Sequence, residues 1–570
     1  MTTRPRYWHV YIALRILCCL IPQTGYIHPD EFFQTTEVVA GDILQLHVDK
    51  PWEFNATYPV RSIVLPFSAY GPCYVILHQL VKHGYFAGQL KPPAELLLIM
   101  PRLVMLAISL VMDLLVVRIA KNLHVNVYAA QWCYGTSYVL YVYFTRTFTN
   151  TFEAFLFTLL LYVCTKQSLG GHTAVDCASI AFIITGGIFN RPTFPAFALI
   201  PVCYWLLRDR QPAVCAFFRN AIQCAIFISI FSLLFIFCDT LYFRSSTIGE
   251  LIQELGDAGM SLDKLPHIFV LTPLNFLLYN AHSSNLAVHG IHPHYTHLTL
   301  NLVLLFGPGA ICLYYRLFTA LLSVPRRTHN KMCLLLLGII FFPILVLSAF
   351  PHQEARFLIP LLLPFSLLCG HFLFSDENLS WKFLKLEWLI FNILAALFFG
   401  FLHQGGVVPS IAFLQKYING LNATEASSSH YEYHLLYYHT YPPPYHLFGR
   451  QHQSTTLAAS HTHIHDLRGA PTERLGEELE LLSQRNHSKI LLVAPSTVRW
   501  RLCKIKHLKL THLHSVWPHL SFEDPPSFDA MVLGSSSQQL VCSYDHSQQR
   551  AHVLSNLFHL LHLDIFFVSF

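Results

Sequence analysis

Residues 7–31 read YWHVYIALRILCCLIPQTGYIHPDE, an apolar run from Tyr7 to Ile27 followed by His28-Pro29-Asp30-Glu31. Two neighbouring carboxylates at the edge of a bilayer are expensive, because charge beside hydrocarbon is poorly solvated. Such groups are kept for chemistry or for pairing. An Asp30 facing an aqueous pocket at the membrane surface is placed to take a proton from a hydroxyl. Arg4 and Arg6 precede the run, Arg15 interrupts it, and no small-residue cleavage site follows. The run therefore reads as a retained signal-anchor helix, not a cleaved leader.

The rest of the chain agrees with a membrane class. Of 570 residues, 53% are hydrophobic and only 12% charged, against about 25% charged in soluble domains. The net charge of +5 is spread over loops, with no basic stripe to hold nucleic acid. The 15 cysteines sit mostly inside apolar runs, where they act as small hydrophobes, and no CxxC pair suggests a metal or redox centre.

Ten further apolar runs follow the first: Leu96 to Val117, Val125 to Tyr143, Thr151 to Thr165, Cys177 to Phe189, Pro192 to Leu207, Ala221 to Cys238, Leu298 to Leu322, Met332 to Phe350, Phe357 to Phe374 and Leu386 to Leu402. About eleven transmembrane helices are thus expected. With the N-terminus cytosolic, basic residues such as Arg118, Lys121, Arg208, Arg326, Arg327 and Lys382 fall in the cytosolic loops, as the positive-inside rule requires. The first loop (28–95) and everything after His403 then lie in the lumen. Sequons at Asn55, Asn422 and Asn486 share that side, whereas Asn378 is cytosolic. Within the first loop, Ser62 to Val81 is apolar but broken by Pro66 and Gly71-Pro72, and reads as an interfacial or re-entrant helix over a cavity, not as a span.

The chain divides into a transmembrane catalytic part (1–403) and a polar tail (404–570) that holds half of the 34 histidines. In the tail, Ile490 to Ala494 and Phe528 to Leu533 read as buried strands of a small α/β domain. Cys503 and Cys542 are able to pair in an oxidising compartment. His461, His463 and His465 mimic a metal site, but without supporting carboxylates or thiols they read as a solvated loop.

Four polar clusters fall on the lumenal side: His28 to Glu31, Asp239-Thr240, His289 to Tyr295 (with His292), and His352-Gln353-Glu354-Ala355-Arg356. Each sits where a run enters or leaves the membrane, so together they frame one pocket holding a carboxylate base and cationic groups. Structural alternatives stand beside this. Asp239-Thr240 is equally suited to capping a helix, and His352, Glu354 and Arg356 to an internal ion pair. Intramembrane charges also occur in transporters or lipid-handling scaffolds, but those often show internal repeats, absent here, and carry their acids at mid-membrane.

The HPDE segment and His352-Gln-Glu-Ala-Arg-Phe357 resemble the two signature segments of the dolichyl-phosphate-mannose-dependent mannosyltransferases of the endoplasmic reticulum, glycosyltransferase family 22. Softer segments, including Trp52-Glu-Phe54, Thr272 to Phe276, Tyr279-Asn280, His439 to Pro444 and Pro518 to Pro526, resemble the subgroup that adds a fourth mannose to glycosylphosphatidylinositol (GPI) precursors. Sibling enzymes with other acceptors, a third-mannose GPI enzyme or those building N-glycan lipid precursors, share the signature. The resemblance implies an α-helical polytopic GT-C glycosyltransferase fold in the endoplasmic reticulum membrane. It implies dolichyl phosphate mannose as donor and a GPI precursor glycolipid as acceptor. Because the donor is β-linked and the product α-linked, a single inverting displacement is implied, with a general base on the acceptor hydroxyl. Asp30 is the expected base, with Glu31 as second choice or hydrogen-bonding partner. Arg356 is expected to hold the leaving phosphate, assisted by His352 and less directly by Arg61. His28, Asp239, Glu354, His289 and His292 are expected around the substrates. No cofactor, obligatory metal or protein partner is implied.

Overall fold

The computed structural model describes residues 8–86, 92–166, 171–208, 213–245, 248–258, 268–282, 284–285, 290–322, 328–374, 379–424, 431–450, 462–485, 487–502, 505, 508–526 and 560–569. Among them, six helices are long and apolar enough to cross a membrane by length and composition: Val64–Lys82, Ala94–Asn122, Val214–Arg244, Lys331–Ser348, Ala355–Phe374 and Lys382–Leu402. Shorter apolar helices accompany them, from Trp8–Leu20 to Val407–Ile418. The chain is thus mostly helical, with a small sheet domain at its C-terminal end.

Three runs differ from expectation for local reasons. The run Val125 to Tyr143 divides at Ser137, whose extended backbone (φ −72°, ψ 133°) separates helices Val127–Thr136 and Tyr138–Val142. The run Leu298 to Leu322 divides at Gly307, which takes a φ of 47° open to glycine, and at Pro308, which lacks an N–H to continue the ladder. Conversely, Ser62 to Val81 is not broken. Val64–Lys82 is one helix of 19 residues in which Pro66 occupies the first turn, where no backbone donor is lost, and only Pro72 lies inside.

Arg15, the interruption of the first run, is buried. It donates to Ser109 Oγ at 3.1 Å and is ion-paired with Asp113, both on helix Ala94–Asn122. Its charge therefore fastens the first helix to its neighbour instead of facing lipid.

The C-terminal domain is a five-stranded mixed sheet. Its strands are β1 (Glu432–Tyr438), β2 (Thr462–Arg468), β3 (Ser488–Pro495), β4 (Lys509–Val516) and β5 (Leu563–Ser569), in the order β2-β1-β3-β5-β4. The first three run parallel, and β5 is antiparallel to β3 and β4. The strand expected at Ile490 to Ala494 lies in β3. The one expected at Phe528 to Leu533 lies outside the described residues, as do Cys503, Cys542 and His461. His463 and His465 fall on β2 and not in a solvated loop, with His465 Nε2 3.0 Å from His434 Nδ1 on β1.

One sheet face packs under helix Thr472–Ser483, which buries Leu475, Leu479 and Leu482 at helical spacing against Leu436, Leu492 and Phe566. The other face, with Tyr433, Leu435, Tyr437 and Leu491, joins one apolar cluster with Tyr26, Phe32, Val39 and Leu97. Burial on both faces explains why β1 and β3 are almost continuously apolar. It also seats the tail directly on the first loop, beside the HPDE segment.

Candidate active site

Pro29 opens a helical run that passes through a π-helical turn at Phe32–Thr36 into helix Glu37–Leu44. The Asp30 N–H donates to His28 Nδ1 at 3.2 Å, so the ring of the preceding histidine caps the start. Consecutive residues on a helix project about 100° apart. Asp30 consequently faces a cavity, and Glu31 faces the helical bundle.

The cavity has a volume of about 460 Å³; three parts of the chain supply most of its wall, and Arg191, Phe276, Tyr279 and Asn280 complete it. His28, Asp30, Gln34, Trp52, Glu53 and Arg61 come from the first loop, and His352, Glu354 and Arg356 from the second signature segment. Pro442 and Arg468 come from the C-terminal domain. The volume is that of a site for a sugar-sized ligand.

Glu354 is extended (φ −119°, ψ 148°), before the chain turns into the 3₁₀ segment Ala355–Leu361. That bend brings Glu354 and Arg356 together. Arg356 grips Glu354 through Nε and through Nη2 (2.9 Å to Oε1), and its Nη1 donates to Asp30 Oδ2 at 2.5 Å. His352 Nε2 is 2.8 Å from the same Glu354 Oε1, and His28 Nδ1 lies 3.3 Å from Asp30 Oδ1. Gln34, one helical turn from Asp30, donates to the same Asp30 oxygen as Arg356.

One guanidinium thus serves two carboxylates. Burial opposes ionisation of Asp30, but Arg356 and His28 outweigh it and hold the carboxyl well below the usual carboxylate range. Glu354 follows the same pattern, with burial opposed by Arg356, His28 and His352. A second network extends the first: Arg61 Nε pairs with Glu53 Oε1 at 2.8 Å, and Gln34 Nε2 lies 3.3 Å from the same oxygen. Arg191 also lines the cavity, 4.7 Å above the Phe357 ring and 3.3 Å from Glu153 Oε2. Among the described residues, no three histidine, cysteine or acidic side chains are placed to hold a metal ion.

The expected site residues divide accordingly. Asp30, His28, Arg61, His352, Glu354 and Arg356 are brought together around the cavity. Glu31 is not: it is fully buried between Arg102 Nη2 (2.8 Å) and Arg146 Nη1 (3.1 Å), away from the cavity wall. Asp239 is likewise buried away from the cavity, accepting from Ser62 Oγ (3.0 Å), Ile63 N–H (3.1 Å) and Thr272 Oγ1 (2.9 Å). It ties helix Ala213–Arg244 to the start of Val64–Lys82, close to the capping alternative. His292 packs behind the second signature segment, its N–H donating to the Pro351 carbonyl at 2.8 Å. His289 lies outside the described residues.

Gln34, Glu53 and Arg191 were not singled out as site residues by the sequence. Gln34 had a usable signal, since i, i+4 from Asp30 shares one helix face. Arg191, between two apolar runs, had none beyond being a lone charge.

A carboxylate beside guanidinium groups is the arrangement that transfer of a group from a phosphate to a hydroxyl needs. The chain matches the model of the Alg9-like mannosyltransferase family over residues 7–448. It is 34% identical to GPI alpha-1,2-mannosyltransferase 4 of Homo sapiens, over 93% of this chain and 91% of that protein. It is 30% identical to GPI mannosyltransferase 4 of Drosophila melanogaster, over 90% and 86% respectively. Among solved structures, ArnT from Cupriavidus metallidurans bound to undecaprenyl phosphate aligns with a TM-score of 0.47 at 10% identity, over 87% of this chain and 94% of that one. The match across most of the chain places this protein in the Alg9-like mannosyltransferase family.

Proposed function

We propose that this mannosyltransferase moves mannose from dolichyl phosphate mannose to the 2-hydroxyl of the third mannose of a GPI precursor, in α-1,2 linkage and with inversion. The observation that carries the mechanism is the single Arg356 guanidinium shared by Asp30 and Glu354 on the cavity wall. The names of the full-length relatives support the acceptor.

In this reading the donor phosphate enters beside Arg356, with Arg61, Arg191 and His352 contributing positive charge or donors. A phosphodiester competes with Asp30 for Arg356 Nη1, because a guanidinium binds two phosphate oxygens as well as it binds a carboxylate. Losing that donor raises the proton affinity of Asp30, which makes it a base only when the donor is seated. The acceptor oxygen attacks C1 of mannose as its proton passes to Asp30. The C1–O bond breaks on the opposite face, and the pair leaves as dolichyl phosphate. Phosphate is already a good leaving group, so its charge needs holding but no strong acid is required.

The exposed sequon Asn55, whose side chain meets Thr57 N–H at 3.1 Å, supports a lumenal cavity at the endoplasmic reticulum membrane. The test is a transfer assay with the purified full chain, dolichyl phosphate mannose and synthetic GPI acceptors bearing two or three mannoses. Extension of the three-mannose acceptor only, to a product cleaved by an α-1,2-mannosidase, is expected. Extension of the two-mannose acceptor, or of an N-glycan lipid precursor, overturns the acceptor assignment in favour of a sibling enzyme.

A further inference from the structure

We infer that the C-terminal domain reads the acceptor glycan through Arg468, with Trp52 on the wall of the same cavity. The inference rests on the transfer reaction proposed above.

Arg468 ends the edge strand β2 in an unusual way. Tyr437 pairs with Asp466 and Tyr438 with Arg468, so Leu467 is an extra residue and the ladder shifts there. Arg468 itself takes a φ of 46°, left-handed backbone that a branched or long side chain seldom adopts. Bulges of this kind re-aim a side chain, and they cluster at strand edges beside active sites. The result is a guanidinium from the tail domain that lines the same cavity as Asp30 and Arg356. Its side chain is 77% exposed and its Nε is held at 2.9 Å by Asp466 Oδ2. Pairing at Nε fixes the plane of the fork and leaves its outer edge to a ligand.

The charge balance at this end says what that ligand is. Arg468 is offset by Asp466, and nearby Lys50 by Asp42 at 2.6 Å, while Asp49 also lines the wall. With three carboxylates against two cations, this end of the cavity disfavours an anion and suits hydroxyl groups, which donate to carboxylates and accept from the guanidinium. Trp52, 44% exposed and stacked on Tyr279 at 4.4 Å, offers the flat apolar surface that a pyranose face covers. Hydroxyl-rich and apolar-faced together describe a glycan. The family match covers residues 7–448, and Arg468 lies beyond it.

The experiment is steady-state kinetics of purified full-length R468A, R468Q and wild type, using dolichyl phosphate mannose and a synthetic trimannosyl GPI acceptor. Loss of a charge-assisted hydrogen bond predicts an acceptor KM raised about tenfold in R468A, with kcat and donor KM within about twofold of wild type. R468Q keeps two donors and recovers part of the loss. An unchanged acceptor KM in both variants overturns the inference, and so does a fall in kcat alone. A wild-type enzyme that ignores the trimannosyl acceptor but extends another breaks the acceptor assignment instead, and the same KM comparison is then made on the acceptor it uses. The substitution is at an exposed position, and matching thermal unfolding curves for the variants exclude misfolding as the cause.

Discussion

Asp30 and Glu31 are consecutive acids of equal charge, and their surroundings differ in every respect that matters for chemistry. Asp30 remains 22% exposed in its side chain, on the cavity wall, sharing Arg356 with Glu354. Each of its partnerships can be exchanged for a ligand's. Glu31 is closed off: each oxygen has its own arginine, and those arginines are spent on the backbone. Arg102 Nη1 donates to the Gln23 carbonyl at 2.9 Å, while Arg146 Nη1 reaches the Gly25 carbonyl at 2.5 Å and Nη2 the Gly400 carbonyl at 3.3 Å. Glu31 thereby clamps the exit of the first helix to the end of Lys382–Leu402. The acid proposed as the base has partners on an open wall that a ligand can replace, whereas the other is locked into the bundle by buried ones.

The most severe break of that contrast is D30N. The amide keeps the volume and can still accept from Arg356, but it cannot take a proton. Transfer is expected to fall roughly 10²–10⁴-fold in kcat, the usual share of a general base, with the unfolding temperature in detergent almost unchanged. Full activity in this variant would remove Asp30 from the chemistry.

The reciprocal change, E31Q, should do the opposite. It leaves Arg102 and Arg146 buried without their counter-charge, a loss of about 3–5 kcal/mol for a broken buried pair. The expected readout is a lowered melting temperature and a lower yield of folded protein, with activity per folded molecule nearly retained. An E31Q enzyme as stable as wild type yet inactive would put Glu31 into the reaction and abolish the distinction between the two acids.

The sequence carried the first half of this contrast and missed the second for a physical reason. Composition and apolar runs report how much of the chain meets hydrocarbon, so the helical membrane class and the seat of Asp30 and Arg356 at run ends were legible. The partner of a buried charge is not, because Arg102, Arg146 and Glu31 are separated by 71 and 115 residues and meet only after the bundle packs. Asp239 is a similar case. Its placement at a run end looked like a cavity position, but its partners Ser62 and Thr272 lie 177 and 33 residues away. Breaks at Ser137 and Gly307-Pro308 were readable in principle as local backbone signals. Gly71-Pro72 shows their limit, since the same kind of signal left helix Val64–Lys82 intact.

The smallest effect separates the cavity from the seam beneath it by acid. Where the last span meets the tail, His403 and His519 are buried, 3% and 1% exposed, and the chain pairs as a short bridge between His403 and Leu520. Burial, then Arg146 and His28, lowers His403 to about 4. Burial, then His403, lowers His519 to about 3 against the weaker pull of Asp564. His519 Nδ1 lies 3.2 Å from the Gly406 N–H, so the neutral ring accepts that bond. Between these values and the unfolded 6.5, the unfolded chain binds protons that the folded seam refuses, so stability falls as the pH is lowered through that window. At pH 5 each ring accounts for about 2 kcal/mol. Asp30 and Glu354 run the other way: their depressed folded values give stability that is fully present above about pH 4, the unfolded carboxylate range, and is lost only below it. Acidification from pH 7 to 5 should therefore raise hydrogen exchange at 403–406 and 518–521 while leaving the backbone at 28–34 protected. H519Q, whose amide oxygen can still accept from Gly406, should remove about half of the slope. A seam whose exchange is flat between pH 7 and 5, or a first loop that opens with it, would show that one acid-sensitive unit spans both regions.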